Sequence, residues 1–596
     1  MKHHHGLEEQ PLSAEVQALV DVVWKRAQER WATAMFLSRP TGSAPDFHSP
    51  AAIDLRSRQI VINETMLRDK HLLDSLEGIL AHEVGHHVAY PGTLVVDARL
   101  RLVERALLPF TTFSLSNLFT DFLINEHIGH DLGPQLAAVY VAFGEPIPAP
   151  DPKAKKQAKP AHKDFAFSFV MCAYEELWQL PEGSLLQSRQ AALDERFPGA
   201  RAEAQLLVER LFVLGPNLTT QFLFFLSVLS RYLVMDEEEK AKRDKDDPVR
   251  KLVDDAEPAD ENPCPCGGGD PSPEDWAEAL NPTRQEQEAF DRALKEGWLR
   301  EDDAKRLGDA RAFERRVAGL PGQGTANASM VPEVMAAWYR RQAQAYLLRP
   351  PPSRLKGEAT VPVDLVPWEP GDPVVDVDWP ATLREFGPVL GKAQPLLRER
   401  VADEEGLDTT LWAPRTEIYV DVSGSMPDPR RARNALTLAA MILTVATVRA
   451  GGSVRALLYS SDHVKLWHWS RSDVEVSRFL MHYIGAGTDF PFPVLEDSVN
   501  ERHADGPLKP IRVVITDRDF DHNTNSNPKA PALLQRAGAA SAPFVLLQHV
   551  PNPACVTQYK SWGLTVVAVN TMEDFPAVAA GLARALFLTD PRPSRA

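Results

Sequence analysis

After Arg415 the chain changes rhythm, and five short apolar runs alternate with stretches patterned as helices. The runs are Glu417–Val420, Val454–Tyr459, Arg512–Thr516, Phe544–Leu547 and Leu564–Val569. Strands that read as nearly continuous apolar segments are buried on both faces. Strands separated by helices are joined by crossovers, which make their neighbours parallel. The pattern therefore predicts a doubly wound parallel α/β sheet over residues 413–590. In such sheets ligands gather beyond the carboxyl ends of the strands.

Those ends carry hard oxygen donors. The first run leads into Asp421-Val422-Ser423-Gly424-Ser425, and a later loop reads Gly485-Ala486-Gly487-Thr488-Asp489. The run ending at Thr516 delivers Asp517. Hydroxyls and carboxylates suit magnesium in octahedral geometry, with waters completing the shell. The set resembles the von Willebrand factor A domain and its metal-ion-dependent adhesion site, D-x-S-x-S with a distant Thr and Asp. The resemblance implies a Rossmann-like domain in which Ser423, Ser425 and Thr488 contact magnesium directly. Asp421 and Asp517 would then act mainly through bound water, and a partner's carboxylate would complete the site.

Far upstream, His82-Glu83-Val84-Gly85-His86 lies in an amphipathic stretch marked by Leu73, Leu76, Leu80, Val84 and Val88. A stop follows at Pro91-Gly92. On a helix, residues i and i+4 share a face, so both imidazoles can reach one zinc ion. Glu83 then stands beside the open position as a general base. The pattern resembles the zincin metallopeptidases, which place an edge strand before the active helix. Gln59–Asn63 reads as such a strand. Ala89 and Gly92 exclude the metzincin subclass, which needs Gly and His there. Gluzincin-like enzymes draw a carboxylate from a later helix, and Asn117, Asp121 and Asn125 form a polar stripe at i, i+4 and i+8. Asp121 is the favoured third ligand, with Asn117 and Asn125 orienting the histidines. Glu126 and His130 are the alternatives. His87 and Tyr90 lie nearby, and neither is assigned as an oxyanion donor.

At 596 residues the chain exceeds one core. The expected architecture is multidomain α+β and α/β. Residues 1–235 form a mostly helical zincin-like domain, and 236–273 a charged, then Gly/Pro-rich linker. Residues 274–412 form a helical and proline-rich middle region before the C-terminal sheet. A basic segment at 152–160 reads as an exposed loop. Leu218–Met235, interrupted by Gln221 and Arg231, reads as a core helix rather than a membrane span. A net charge of −17 argues against nucleic-acid binding. Cys172, Cys264, Cys266 and Cys555 are too scattered for a disulfide framework, and Cys264-Pro265-Cys266 reads as flexible linker. The start, Met1-Lys2-His3-His4-His5, lacks an apolar leader segment, so a cytoplasmic location is expected.

Both motifs in one chain resemble bacterial metallopeptidase-like proteins with a C-terminal von Willebrand-like domain, of the kind associated with MoxR-type AAA+ ATPases. That resemblance implies a zinc-dependent endopeptidase acting on proteins or peptides, targeted through its magnesium-binding domain. The alternative is a non-proteolytic adaptor or co-chaperone of an AAA+ ATPase, with a structural or vestigial zinc site. Cobalt and magnesium chelatase subunits are similar to the C-terminal half in that respect.

Overall fold

The computed structural model describes residues 10–31, 37–45, 47, 49–108, 114–144, 165–246, 270–302, 312–320, 330–347, 360–369, 372, 374–386, 394–402, 413–501 and 509–587. The N-terminal histidine run, the basic loop at 152–160 and the Cys264–Cys266 pair lie outside them. Two compact units are present, one of residues 1–338 with 430–433 and one of 339–429 with 434–596.

In the first unit the chain runs β1 (Gln10–Pro11), α1 (Ala14–Glu29), β2 (Gly42–Ser43), β3 (Ala51–Ile53), β4 (Ile60–Ile62) and α2 (Glu64–Asp69). It continues through α3 (Leu76–Val88), α4 (Leu94–Leu107), α5 (Leu115–Phe143), α6 (Phe165–Leu177), α7 (Gln190–Arg196), α8 (Ala200–Leu211) and α9 (Leu218–Asp246). Then come α10 (Pro273–Ala279), α11 (Arg284–Lys295), α12 (Ala312–Ala318) and α13 (Met330–Tyr346), the last crossing into the second unit. The small sheet has the order β1-β2-β4-β3. The strand read at Gln59–Asn63 is thus interior, and the edge beside it is β3, a three-residue segment too short to show alternation.

Two expected boundaries move. α9 continues past residue 235 to Asp246, because sequence rich in Glu, Lys, Arg and Ala propagates a helix well once an apolar segment has anchored it. Its apolar stretch is long enough to cross a membrane by composition, yet Phe222, Phe225, Leu229 and Tyr232 are buried in the core. Residues 273–299, expected in a separate middle region, belong to the first unit. Ala289, Phe290, Ala293 and Leu299 join its core, and Arg99 bonds Glu286 at 2.6 Å. Periodicity shows that such a helix has an apolar face but not which surface covers it.

The second unit contains β5 (Thr360–Pro367), α14 (Trp379–Phe386) and β6 (Leu396–Ala402), with β5 and β6 paired antiparallel. The larger sheet uses β7 (Arg415–Asp421), β8 (Ser453–Tyr459), β9 (His463–Ser470), β10 (Ile511–Thr516), β11 (Phe544–His549) and β12 (Thr565–Val569). Its order is β12-β11-β10-β7-β8-β9, parallel throughout except for β9. Helices α15 (Ala435–Arg449), α16 (Asp473–Phe479), α17 (Phe492–Asn500), α18 (Asp519–Ser526), α19 (Ala530–Ala539), α20 (Pro553–Ser561) and α21 (Phe575–Phe587) connect and follow the strands. Mixed helix and mostly parallel sheet agree with the expected class. The sequence reading missed β9, an edge strand whose half-exposed His-Val-Lys-Leu-Trp-His-Trp-Ser lacks a continuous apolar run. The order turns back between β7 and β10, where β8 and β10 flank β7, and the Asp421 and Asp517 loops leave the sheet there.

Candidate metal centres

Helix α3 is buried along nearly its whole length, from Leu76 to His86. That burial requires close approach by its neighbours. A Cβ on Gly85 would come within 2.4 Å of the Trp31 ring and 2.9 Å of Ile124, so only glycine admits this packing. Trp31 Nε1 also donates to the Ala81 carbonyl at 2.7 Å, which ties the ring across the motif. Helix α5 is fixed just as firmly at its start. The buried Glu104 carboxylate of α4 accepts from the backbone N–H groups of Leu115 (3.1 Å) and Ser116 (2.9 Å). Asp121 follows about two turns into that helix.

The two helices bring His82, His86 and Asp121 into one buried group that could hold a metal ion. The Nε2 atoms of the histidines are 3.2 Å apart, and Asp121 Oδ1 lies 3.5 Å from His82 Nε2 and 3.2 Å from His86 Nε2. A tetrahedral ion with bonds of about 2.0–2.1 Å spaces its ligands by roughly 3.3 Å. The donor set therefore fits zinc in both chemistry and spacing. Glu126 and His130 are exposed and stand outside the group, with His130 Nδ1 3.3 Å from Asp131 instead.

Supporting hydrogen bonds fix the ring orientations. Asn125 Oδ1 faces His82 Nδ1 at 2.8 Å, and the Tyr90 carbonyl faces His86 Nδ1 at 2.9 Å. With Nδ1–H donated in each case, both Nε2 lone pairs point at the common centre. Asn117, expected to orient a histidine, instead donates from Nδ2 to Asp121 Oδ2 at 3.2 Å. It sits one turn before Asp121 on the same helix and cannot reach past it. Asn125 is itself held by its Nδ2, which donates to Tyr140 Oη (3.0 Å) and Tyr174 Oη (2.9 Å). The sequence reading missed both tyrosines and the Tyr90 carbonyl, since nothing local to them signals a distant asparagine or imidazole. Asn125→Ala is expected to weaken any metal binding at this group by about 10–100-fold without unfolding the helix, measured by competition with a chromophoric chelator.

Protons compete with a metal ion for the same donors. Burial opposes charge on His82, but the adjoining Asp121 carboxylate outweighs it and lifts the pKa to about 9. For Asp121 burial acts the other way, and the two imidazoles still hold its carboxyl below the usual range. Glu83 is buried, and burial pushes its carboxyl up against the opposing pull of both histidines. Its Oε2 accepts the Ile53 N–H of edge strand β3 at 2.9 Å. His87, one turn beyond Glu83, is half-buried, and its Nδ1 meets no hydrogen-bond partner among the described residues.

In the second unit, the loop after β7 curls so that Ser423 N–H donates to Asp421 Oδ1 at 2.9 Å. Ser423 Oγ lies 3.1 Å from Ser425 Oγ, which in turn lies 3.3 Å from Asp517 Oδ2. Thr516 Oγ1 donates to Asp421 Oδ2 at 3.1 Å, a contact the sequence reading did not include. Four of the five expected residues thus form one chain of contacts. Thr488 stands on a loop pinned beside them: Gly424 N–H donates to Ala486 O (2.7 Å) and Gly485 N–H to Val422 O (3.1 Å). Asn523 completes the anchoring by donating to the Thr488 carbonyl and accepting from Phe490 N–H. Burial, with Asp517 adding to it, raises the Asp421 carboxyl to about 6. Two neighbouring carboxylates with raised affinity for protons, ringed by hydroxyls, suit a divalent cation bound through oxygen.

No protein family matches the chain, and no curated protein does. Solved structures similar to part of it include a von Willebrand factor type A protein from Catenulispora acidiphila, at 12% identity and TM-score 0.23. That match covers 29% of this chain and 43% of the other, so the chain spans under half of that protein's length. An aerotolerance-related membrane protein from Bacteroides fragilis NCTC 9343 matches at 13% identity and TM-score 0.22, over 29% of this chain and 100% of that one. BatB from Bacteroides thetaiotaomicron matches at 13% and 0.23, over 29% and 98%.

Proposed function

We propose that the chain is a zinc-dependent endopeptidase whose C-terminal sheet is a magnesium-binding von Willebrand factor A-like domain that targets or regulates it. The observation that carries this reading is the convergence of His82 Nε2, His86 Nε2 and Asp121 Oδ1 at tetrahedral spacing beside Glu83. Zinc bound there would supply Lewis acidity, polarising a water molecule and the scissile carbonyl. Glu83 would take the proton from that water and pass it to the leaving amine. Its raised pKa favours both halves of the task, since a base nearer neutrality is also a competent acid. The Ile53 N–H holds one oxygen of Glu83 and leaves the other for the proton. Asn125 and the Tyr90 carbonyl keep both imidazoles in the tautomer that presents Nε2. Strand β3 lies at an edge of its sheet, the position at which an extended substrate would add, with its Ile53 N–H already committed to Glu83.

Asp421, Ser423, Ser425, Thr488 and Asp517 would hold magnesium and accept a carboxylate from a protein partner. A MoxR-type AAA+ ATPase is the partner class the domain combination suggests. One observation favours the adaptor reading instead: His82, His86 and Asp121 are all buried, as in a structural site. Against it, structural zinc takes four protein ligands, and the group found among the described residues has three.

Zinc content of the purified protein, followed by cleavage of unfolded protein substrates with and without a co-purifying ATPase, tests the assignment. Stoichiometric zinc with hydrolysis in either assay is the expected result; zinc without hydrolysis in both would leave the adaptor. The double variant Asp421→Ala/Ser423→Ala should lose magnesium binding and ATPase capture while keeping its zinc.

A further inference from the structure

The two histidines of the zinc-type group are oriented by partners of different kinds. His86 Nδ1 faces the Tyr90 carbonyl, a backbone acceptor that has no donor to present. His82 Nδ1 faces the Asn125 side chain, whose two ends are an acceptor and a donor of nearly the same shape. With Oδ1 toward the ring, Nδ1 carries the proton and Nε2 keeps its lone pair for the common centre. With Nδ2 there instead, the neutral ring would carry its proton on Nε2 and turn an N–H toward the centre. The direction of this amide therefore decides whether His82 is ready for a metal.

The far end of Asn125 meets two phenols. Its Nδ2 lies 3.0 Å from Tyr140 Oη and 2.9 Å from Tyr174 Oη, and the two oxygens are 3.2 Å apart. Three contacts need three hydrogens. With Nδ2 inward, each phenol oxygen accepts one amide hydrogen, and Tyr140 O–H donates across the third contact. With Oδ1 inward, two phenol hydrogens would serve three contacts, leaving two oxygens face to face with no hydrogen between them. Asn125 and Tyr174 are buried, which makes an unmade hydrogen bond costly.

The surrounding chain keeps the phenols in place. Tyr140 lies on α5 with Asn125, Tyr174 lies on α6, and their rings are 5.0 Å apart. Trp178 stacks on Tyr174 at 4.7 Å and donates from Nε1 to the Asn125 backbone carbonyl at 3.2 Å. A Cβ on Gly129 would come within 2.2 Å of that indole nitrogen, so only glycine lets the ring close in one turn after Asn125.

We propose that Tyr140 and Tyr174 are positioning residues of the metal centre: by taking both amide hydrogens of Asn125 they aim Oδ1 at His82 and commit the neutral ring to its Nδ1–H form. Calling the group a metal centre rests on the function proposed above. The direction of the amide does not.

The test is zinc affinity of the full-length protein, by competition with a chromophoric chelator, across a cycle of variants. Tyr140→Phe/Tyr174→Phe keeps both rings and removes the hydroxyls, and it should bind zinc about tenfold more weakly. In Asn125→Asp the two ends of the side chain are alike, so there is no direction to set. Adding Tyr140→Phe/Tyr174→Phe to Asn125→Asp should then cost no zinc affinity. An equal loss in both backgrounds, or no loss beside Asn125, would overturn the proposal, since the phenols would act through packing alone or not at all. An unaltered chain that takes up no zinc would sink the metal assignment, and the amide is then read directly. Nitrogen NMR of the metal-free protein at about pH 10, above the His82 pKa of about 9, should show the Nδ1–H form. The double tyrosine variant should show a mixture of both forms, and an unchanged pattern there would equally end the proposal.

Discussion

Glu83→Gln is expected to lower peptide hydrolysis by about 10²–10⁴-fold, the usual contribution of a positioned general base. Zinc content should stay at the level of the unaltered protein, because Glu83 is not among the three donors that converge. The substitution is nearly isosteric, so the amide oxygen can still accept the Ile53 N–H that the carboxylate now holds at 2.9 Å. What it removes is the acceptor for the proton of water. The decisive comparison is therefore kcat against KM with metal content measured on the same preparation. Unchanged kcat in a zinc-loaded variant would remove Glu83 from the chemistry and leave the buried group a structural one. A fall in kcat accompanied by loss of zinc would mean that Glu83 supports the ligands instead.

That experiment tests the part of the molecule most legible in sequence. The His82–His86 spacing and the polar stripe from Asn117 to Asn125 are both local helical patterns, and helices α3 and α5 carry them on the faces that meet. The strand-end residues were equally readable, since each follows directly on an apolar run. Tertiary partners were not. Nothing near Trp31 in sequence announces that its ring lies against Gly85, and nothing near Tyr174 announces Asn125. Edge strand β3 is three residues long, and β9 alternates with half-exposed polar groups, so both fall below what periodicity can detect. The docking of residues 273–299 escaped for the same reason: an amphipathic helix declares an apolar face but not its address.

Charge is hidden inside the apolar runs of the larger sheet. Glu417, Arg455 and Arg512 sit in three of the apolar runs that define the sheet. The register places Glu417 of β7 directly beside Arg455 of β8 and Arg512 of β10, with all three side chains fully buried. Arg455 Nη2 and Nε bond Glu417 Oε2 at 2.7 and 2.9 Å, and Arg512 Nε lies 3.3 Å from Oε1. Ser498 and Tyr419 hydroxyls add to the same carboxylate. Arg455 also lies over the Trp467 and Trp469 rings, at 4.1 and 4.6 Å. Runs of Val, Ile and Leu flank each charge, so a window average hides them.

Glu417→Gln should destabilise the second unit by about 3–5 kcal/mol, because two buried guanidinium groups lose the carboxylate that compensates them. Against a typical total of about 5–15 kcal/mol that loss is severe, and it should appear as a lowered denaturant midpoint of the sheet unit. Arg455 keeps Glu501 at 2.7 Å and Arg512 keeps Ser498, so the cost should stay within that range. The same pair sets the acid response. Burial raises the Glu417 carboxyl, but the charges of Arg512 and Arg455 outweigh it and hold it below its ordinary value. Its stabilising contribution is thus complete above the unfolded glutamate pKa of about 4.3 and is lost as pH falls through the lower folded value. Glu417→Gln should accordingly flatten the stability–pH curve of the second unit below about pH 4.3. Asp421 lies on the same strand as Glu417, so the strand that leads into the Asp421–Ser425 loop is the one this buried charge row secures. A variant with unchanged midpoint and an unchanged acid limb would show that the arginines find adequate partners without Glu417, and that the row is dispensable to the sheet.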